Sequence, residues 1–195
     1  MKTHLLAAVL ILLTTALTTT ANAAPYGSTA QAGTPPALLK EGIGKLTTFI
    51  KSGKAANSEQ AMNYLKHEIT PYFDFAYMTR WAAGPAWRRM DARQRAAMQS
   101  QLTQSFLTTL ATKLTTYRNQ KIRFFTPRGR SGEEVTVSAW IMQPNGPPTK
   151  LDFRFYRGNS GWKIFDVKAG GNSAVVYFRK QFRDSLRPSK YARNY

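Results

Sequence analysis

His67, Asp74, Asp152, Asp166 and Ser173 are the side chains to weigh for acid–base or nucleophilic chemistry, and each lacks the company such chemistry needs. The other histidine, His4, lies at the extreme N-terminus, so a histidine-based triad or a multi-histidine metal site is hard to assemble. Ser173 follows Gly170-Gly171-Asn172, but Gly-Gly-Asn-Ser is not the Gly-x-Ser-x-Gly turn that exposes a nucleophile. It reads better as a helix cap. Two aspartates could in principle form an acid–base dyad. Asp152, however, alternates onto the polar face of its strand among basic neighbours, which points to ordinary ion pairing. Asp166 is flanked by apolar residues and is the carboxylate to expect buried, bonded to the Gly-rich turn that follows. The sequence has no Cys, which removes thiolate catalysis and sulfur metal ligands. No Gly-rich phosphate loop, HExxH or CxxC occurs. The reading is a protein that is not an enzyme, with no catalytic residue, no metal and no cofactor.

The N-terminus has the grammar of export. Lys2 is followed by an uncharged run from Leu5 to Leu17 and then by small residues up to Ala23. This predicts a signal peptide over residues 1–23, cut after Ala23. The run is shorter than the roughly 20 apolar residues a spanning helix needs, and no Cys follows to carry a lipoprotein anchor. The expected location is the periplasm, with the protein soluble after cleavage. Residues 24–36 (APYGSTAQAGTPP) read as a disordered linker, and residues 37–195 as one domain. The formal net charge is +18, which implies anionic partners: an acidic protein face or an anionic membrane. A secreted chain without a recognition motif argues against nucleic acid.

The elements that position these residues follow from periodicity. Leu38, Leu39, Ile43, Leu46 and Ile50 predict a helix from Ala37 to about Gly53. Asn57 caps a second helix, with Gln60 at the box position. Pro71 breaks it, and Thr70-Pro71 suits the cap and first position of a third helix through Phe75 and Met78, stopped by Gly84-Pro85. Asp91, with Gln94 three residues on, opens the clearest helix, which runs to Tyr117. Its Met98, Leu102, Phe106, Leu110 and Leu114 form a slowly rotating apolar stripe able to cover a sheet. Strands follow at 121–127, 134–142, 150–157 and 161–169, with turn signals at Asn145-Gly146 and Gly158–Gly161. A last helix starts at the cap Ser173 and turns Val175, Phe178, Phe182 and Leu186 inward. The fold class is α+β: helices packed on one face of a mostly antiparallel, curved sheet, NTF2-like in outline. Such a sheet closes a solid core or leaves a cavity, and the sequence accommodates both. A cavity that held a lipid would gain about 0.8 kcal/mol per buried CH₂.

Four stretches then carry a resemblance: Phe75–Trp87 (FAYMTRWAAGPAW), Gln94-Arg95 opening the long helix, Gly161–Val167 (GWKIFDV), and Ser173 followed by Arg179–Phe182 (RKQF). Their order and spacing over about residues 37–187 resemble the MlaC family, also called the toluene-tolerance auxiliary family, of periplasmic phospholipid-binding proteins. The resemblance implies no catalysis, and phospholipid tails buried between helices and sheet with the head group near the surface. It also implies partners: an inner-membrane ABC transporter with an MCE-type subunit and an outer-membrane lipoprotein complex. Two stretches depart from the family pattern. An acidic-Gly-aliphatic-Ser turn is replaced by Gly170-Gly171-Asn172-Ser173, and the C-terminal helical tail is short after Leu186. A carrier of hopanoid or another lipid is therefore an alternative, as is a basic interaction module with a solid core. The residues expected to touch lipid tails are Met78, Phe106, Leu110 and Leu114 on the two covering helices, with Trp140 and Val167 in mid-strand. Arg179, Lys180, Arg183 and Arg187, mostly opposite the apolar positions of the last helix, are expected to dock a membrane or partner.

Overall fold

The first helix starts on two prolines, whose missing amide hydrogens a first turn would leave unbonded anyway. The computed structural model describes residues 33–117, 120–130 and 133–185. The expected signal peptide, most of the expected linker, and Leu186 and Arg187 lie outside these described residues. Helix α1 is Pro35–Lys51, two residues earlier than the apolar pattern suggests. Gly53, at φ 77°, turns the chain into a short 3₁₀ turn. Asn57 then caps α2 (Ser58–Tyr64), its side chain accepting from the Gln60 amide at 2.9 Å. The backbone widens into a π turn over Leu65–Ile69 and tightens into a 3₁₀ turn over Thr70–Tyr72.

The third helix, α3, is Phe75–Ala83, and its cap is Asp74, not Thr70. The Asp74 carboxylate accepts from the Tyr77 amide at 2.8 Å. Phe73 stays extended because it bridges in parallel to Ile164, and the Asp74 amide donates to the Ile164 carbonyl at 2.9 Å. A helix begun at Thr70 would forfeit both contacts. Gly84, at φ 56°, ends α3 as expected. Helix α4 (Ala92–Thr116) opens on the full reciprocal box: Asp91 accepts from the Gln94 amide at 2.7 Å, and Gln94 accepts from the Asp91 amide at 3.0 Å.

The sheet holds β1 (Ile122–Phe124), β2 (Arg128–Arg130), β3 (Glu134–Ile141), β4 (Thr149–Gly158), β5 (Gly161–Ala169) and β6 (Asn172–Ser173). Its order is β1-β3-β4-β5-β6, with β2 also on β3 and every strand pair antiparallel. The expected strand 121–127 is shorter, Ile122–Phe124, and β2 lies beyond it, after Pro127, which has no amide hydrogen for a ladder. In the β4–β5 ladder Arg154 faces Asp166 but Phe155 faces Ile164, so Phe165 is an inserted bulge residue. Three consecutive side chains, Ile164, Phe165 and Asp166, are buried as a result. Helix α5 (Ala174–Ser185) follows, its Val176 amide donating to Ser173 Oγ at 3.2 Å.

The layers differ from expectation in one respect. Helix α4 lies on α2 and α3, not on the sheet, while α1 packs on β3, and α3 and α5 pack on β5. The buried positions of α4 are Met98, Leu102, Leu107, Ala111 and Leu114. The step of five between Leu102 and Leu107 rotates the buried stripe further than repeated steps of four would.

Candidate functional site

A domain of this size usually closes one contiguous apolar core. Here the buried side chains form two clusters. One is helical, built from Leu65, Phe75, Met78, Leu102, Phe178 and their neighbours. The other joins α1 to the sheet through Leu39, Val137, Ala139, Phe155 and Ile164. Tyr72 and Phe73 pack on both. The Phe73 ring lies 5.4 Å from Phe75 and 5.1 Å from Phe106, so an aromatic hinge marks the boundary. Tyr72 and Phe73 were not singled out from the sequence. The available signal was Asp74, an N-cap as good as Thr70, which would have left Phe73 extended.

Five of the six expected tail-contact residues belong to, or pack against, one of the two clusters. Met78 and Leu114 are buried in the helical cluster, and Phe106 and Leu110 pack against it while half-buried. Val167 is half-buried against the sheet cluster. Trp140 belongs to neither cluster. Strand side chains alternate, and Trp140 falls between Ala139 and Ile141, on the side opposite Val137 and Ala139. There it pairs across the strands with Arg123 and Lys150, 4.5 Å from the Phe125 ring and with Lys150 Nζ 4.7 Å above its own. Choosing a mid-strand position without fixing its face produced that misplacement.

Polar contacts strap α1 over the boundary. Lys45 Nζ donates to Glu68 at 2.8 Å, the Tyr64 hydroxyl to the Lys45 carbonyl at 2.9 Å, and the Tyr72 hydroxyl to Glu41 at 2.6 Å. Burial, with the Glu41 carboxylate accepting its proton, pushes the Tyr72 phenol up to about 12. Its folded value lies above the ordinary value of about 10, so this strap is fully present below that pH and is lost as pH rises towards about 12. In a phenolate absorbance titration, the difference between the wild type and Tyr72→Phe should show this late-ionising group, and Glu41→Gln should bring it earlier. A Tyr72 that ionises with the ordinary tyrosines would show that the strap does not hold in solution.

Asp166 is fully buried, as expected. The Ser173 hydroxyl lies 2.9 and 2.8 Å from its two oxygens, the Val175 amide donates at 3.2 Å, and Arg154 stands 3.5 Å away. Arg154 also meets Glu134 at 3.3 Å and lies 4.5 Å over the Phe165 ring. Asp152 is ion-paired, to Arg128 at 3.6 Å. On α3, Tyr77 stacks on Tyr156 at 4.0 Å, and the Tyr156 hydroxyl donates to Asp74. Burial, then that bond, raises the Tyr156 phenol well above its ordinary value. Beside this set lies an open cleft of about 560 Å³ lined by Tyr77, Arg128, Glu134, Arg154, Tyr156 and Arg157, among others. Its polar walls include none of the expected tail contacts.

Of the expected docking residues, Lys180 and Arg183 are exposed on α5. Arg179 is exposed but engaged, donating to the Trp81 carbonyl at 2.7 Å. Arg187 lies outside the described residues. His67 is exposed on the π turn. Among the described residues no group of three or more His, Cys, Asp or Glu side chains could hold a metal ion, and no helix is long and apolar enough to cross a membrane.

Comparison with known proteins agrees with this architecture. No curated protein matches the chain. Among solved structures, a phospholipid-binding protein from Ralstonia solanacearum, determined in complex with a phospholipid, is similar with a TM-score of 0.69 and 25% sequence identity. The match covers 76% of this chain and 84% of that one. The family model described as MlaC protein matches residues 40–193, nearly the whole of the expected domain and every element from mid-α1 to α5, and on that match the chain belongs to the MlaC family.

Proposed function

We propose that this chain is a lipid carrier that holds phospholipid tails in the apolar interior between its helical and sheet clusters. The observation that carries the reading is the divided core. Phe106 and Leu110 sit in the apolar stripe of α4 between buried neighbours yet stay half-buried, as do Val135, Phe153, Trp162 and Val167 across the Tyr72–Phe73 boundary. A closed core would bury such side chains completely. Walls of this kind part around a tail and gain about 0.8 kcal/mol for each CH₂ taken from water. The similar Ralstonia solanacearum protein, solved with a phospholipid, supports the same ligand class. In this reading the protein works in the periplasm, without catalysis, and moves lipid between the outer membrane and an inner-membrane ABC transporter with an MCE-type subunit.

The test is direct. Native mass spectrometry of the purified chain should show one bound phospholipid per protein, and an organic extract of the same sample should contain it. A hopanoid or another lipid class in the extract would redirect the assignment. Protein that carries no lipid, and takes none from vesicles after delipidation, would leave the solid-core interaction module as the better reading.

A further inference from the structure

Among the described residues the large apolar side chains left exposed are Trp81, Met142, Val176 and Tyr177. Three of these four are on α3 and α5, which pack on each other. Val176 is 58% exposed, Tyr177 56% and Trp81 40%. Exposed apolar residues scattered singly are unremarkable, but a group ringed by charge marks a contact surface. The same two helices are basic. Helix α3 carries Arg80, and the described part of α5 carries Arg179, Lys180 and Arg183, against one carboxylate, Asp184.

The face is also held rigid. Arg179 bonds the Trp81 carbonyl at 2.7 Å, tying α5 to α3. Asp166 and Ser173 anchor the start of α5 to β5 and β6. Gln181 Nε2 donates to the Tyr177 hydroxyl at 2.8 Å, which steadies that ring on the outer face. Contact with a partner would thus cost little ordering.

We propose that this α3–α5 face inserts shallowly into the headgroup layer of an anionic phospholipid bilayer, with Trp81, Val176 and Tyr177 entering the interface and Arg80, Lys180 and Arg183 meeting lipid phosphates. Three observations favour a bilayer over an acidic protein. Trp and Tyr carry the amphipathic rings that settle at the membrane interface. The apolar group is only three side chains, too small for the core of a stable protein interface but sufficient for shallow insertion backed by basic residues. The chain as a whole is strongly cationic, at +18, which draws it to an anionic surface. The inference rests on the carrier reading for its purpose: tails leave a bilayer with least exposure to water when the carrier touches that bilayer.

The test is flotation of the purified chain with vesicles of phosphatidylglycerol and phosphatidylethanolamine, against vesicles of phosphatidylcholine alone. Binding should favour the anionic vesicles and fall as salt rises. Lys180→Glu with Arg183→Glu should weaken it about tenfold or more. Val176→Ser with Tyr177→Ser should weaken it about fivefold. Both variants change exposed positions, and their thermal unfolding should match the wild type. As a second measurement that needs no surface variant to bind, brominated lipids should quench wild-type tryptophan fluorescence, and Trp81→Phe should remove most of the quenched signal. Equal binding to both vesicle types overturns the proposal. So does a loss confined to the charge-reversed variant, the behaviour of a surface that meets an acidic protein, or quenching that survives Trp81→Phe. Lipid stoichiometry on the same samples separates the two readings: lipid-loaded protein that ignores vesicles overturns this face and leaves the carrier standing, whereas protein that binds vesicles and never carries lipid supports the face and overturns the carrier.

Discussion

Asp166→Ala is expected to lower the stability of the fold by about 3–5 kcal/mol, the range for removing one partner of a buried ion pair. Asp166 has no exposed surface and gathers the Ser173 hydroxyl, the Val175 amide and the Arg154 guanidinium. Removing the carboxylate leaves the buried Val175 amide without its acceptor, and Arg154 with only Glu134 as counter-charge. Each lost bond also loosens the junction between β5 and α5. Asp166→Asn keeps an acceptor oxygen for Ser173 and Val175 while losing the charge, and should cost less than alanine. Chemical denaturation of both variants reads the difference as a shift in midpoint at constant slope. Hydrogen exchange should show the extra opening concentrated in α5. An alanine variant with the wild-type midpoint would mean that α5 is anchored by its apolar side chains and the Arg179 bond to α3, without Asp166.

Leu110→Trp is expected to remove most of the bound lipid while leaving the delipidated protein as stable as the wild type. Leu110 is half-buried on α4, between the buried Leu107, Ala111 and Leu114 and the half-buried Phe106. On the carrier reading such a site borders the space a tail would take, and an indole placed there would fill that volume. In a tightly packed core the same change would overfill it and cost about 1–3 kcal/mol. The decisive measurement is paired: thermal unfolding of the delipidated variant, and lipid per protein by native mass spectrometry. Unchanged lipid with a clear fall in stability would make Leu110 an ordinary core residue and move the tail site towards Phe153 and Val167. Leu102→Trp is the useful control, because Leu102 is fully buried and should lose stability whatever happens to the lipid.

How far these residues were legible in the sequence varies with the kind of signal. Caps were legible where only local contacts decide them, unlike Thr70, which lost its place to Asp74 through the distant Ile164. Asn57, Asp91 and Ser173 all bond where the local pattern places them, because a cap is decided within four residues. The burial of Asp166 was also readable, from apolar flanks and a Gly-rich turn. Its setting beside Arg154 was not. It depends on the bulge at Phe165, and nothing in GWKIFDVKA departs from an ordinary strand. Trp140 failed for a related reason: an eight-residue strand fixes alternation but not which set faces the helices until its partner register is known. The location of α4 failed at a longer range. Its apolar stripe shows that the helix is covered, and only the competing claim of α1 on β3 decides by what. The basic face on α5 was legible as charge, while the apolar residues within it, Val176 and Tyr177, emerge only once Val175, Phe178 and Phe182 are seen to take the inner positions.

The joining of both clusters through distant segments bears on how the chain comes together in time. The helical cluster needs Val175, Phe178 and Phe182, which are made last, and the sheet cluster needs Leu39 from α1 together with Ile164 from β5. Phe73 likewise waits for Ile164 before its bridge can form. A chain delivered N-terminus first therefore cannot complete the sheet cluster until about residue 167 has emerged, or the helical cluster until about residue 182, because the contacts that close each are distant in sequence. Until then the part of the helical cluster that Val175, Phe178 and Phe182 cover stays open to water. Closure is thus late in both clusters, and a ribosome that pauses before α5 holds a chain whose helical cluster is unfinished.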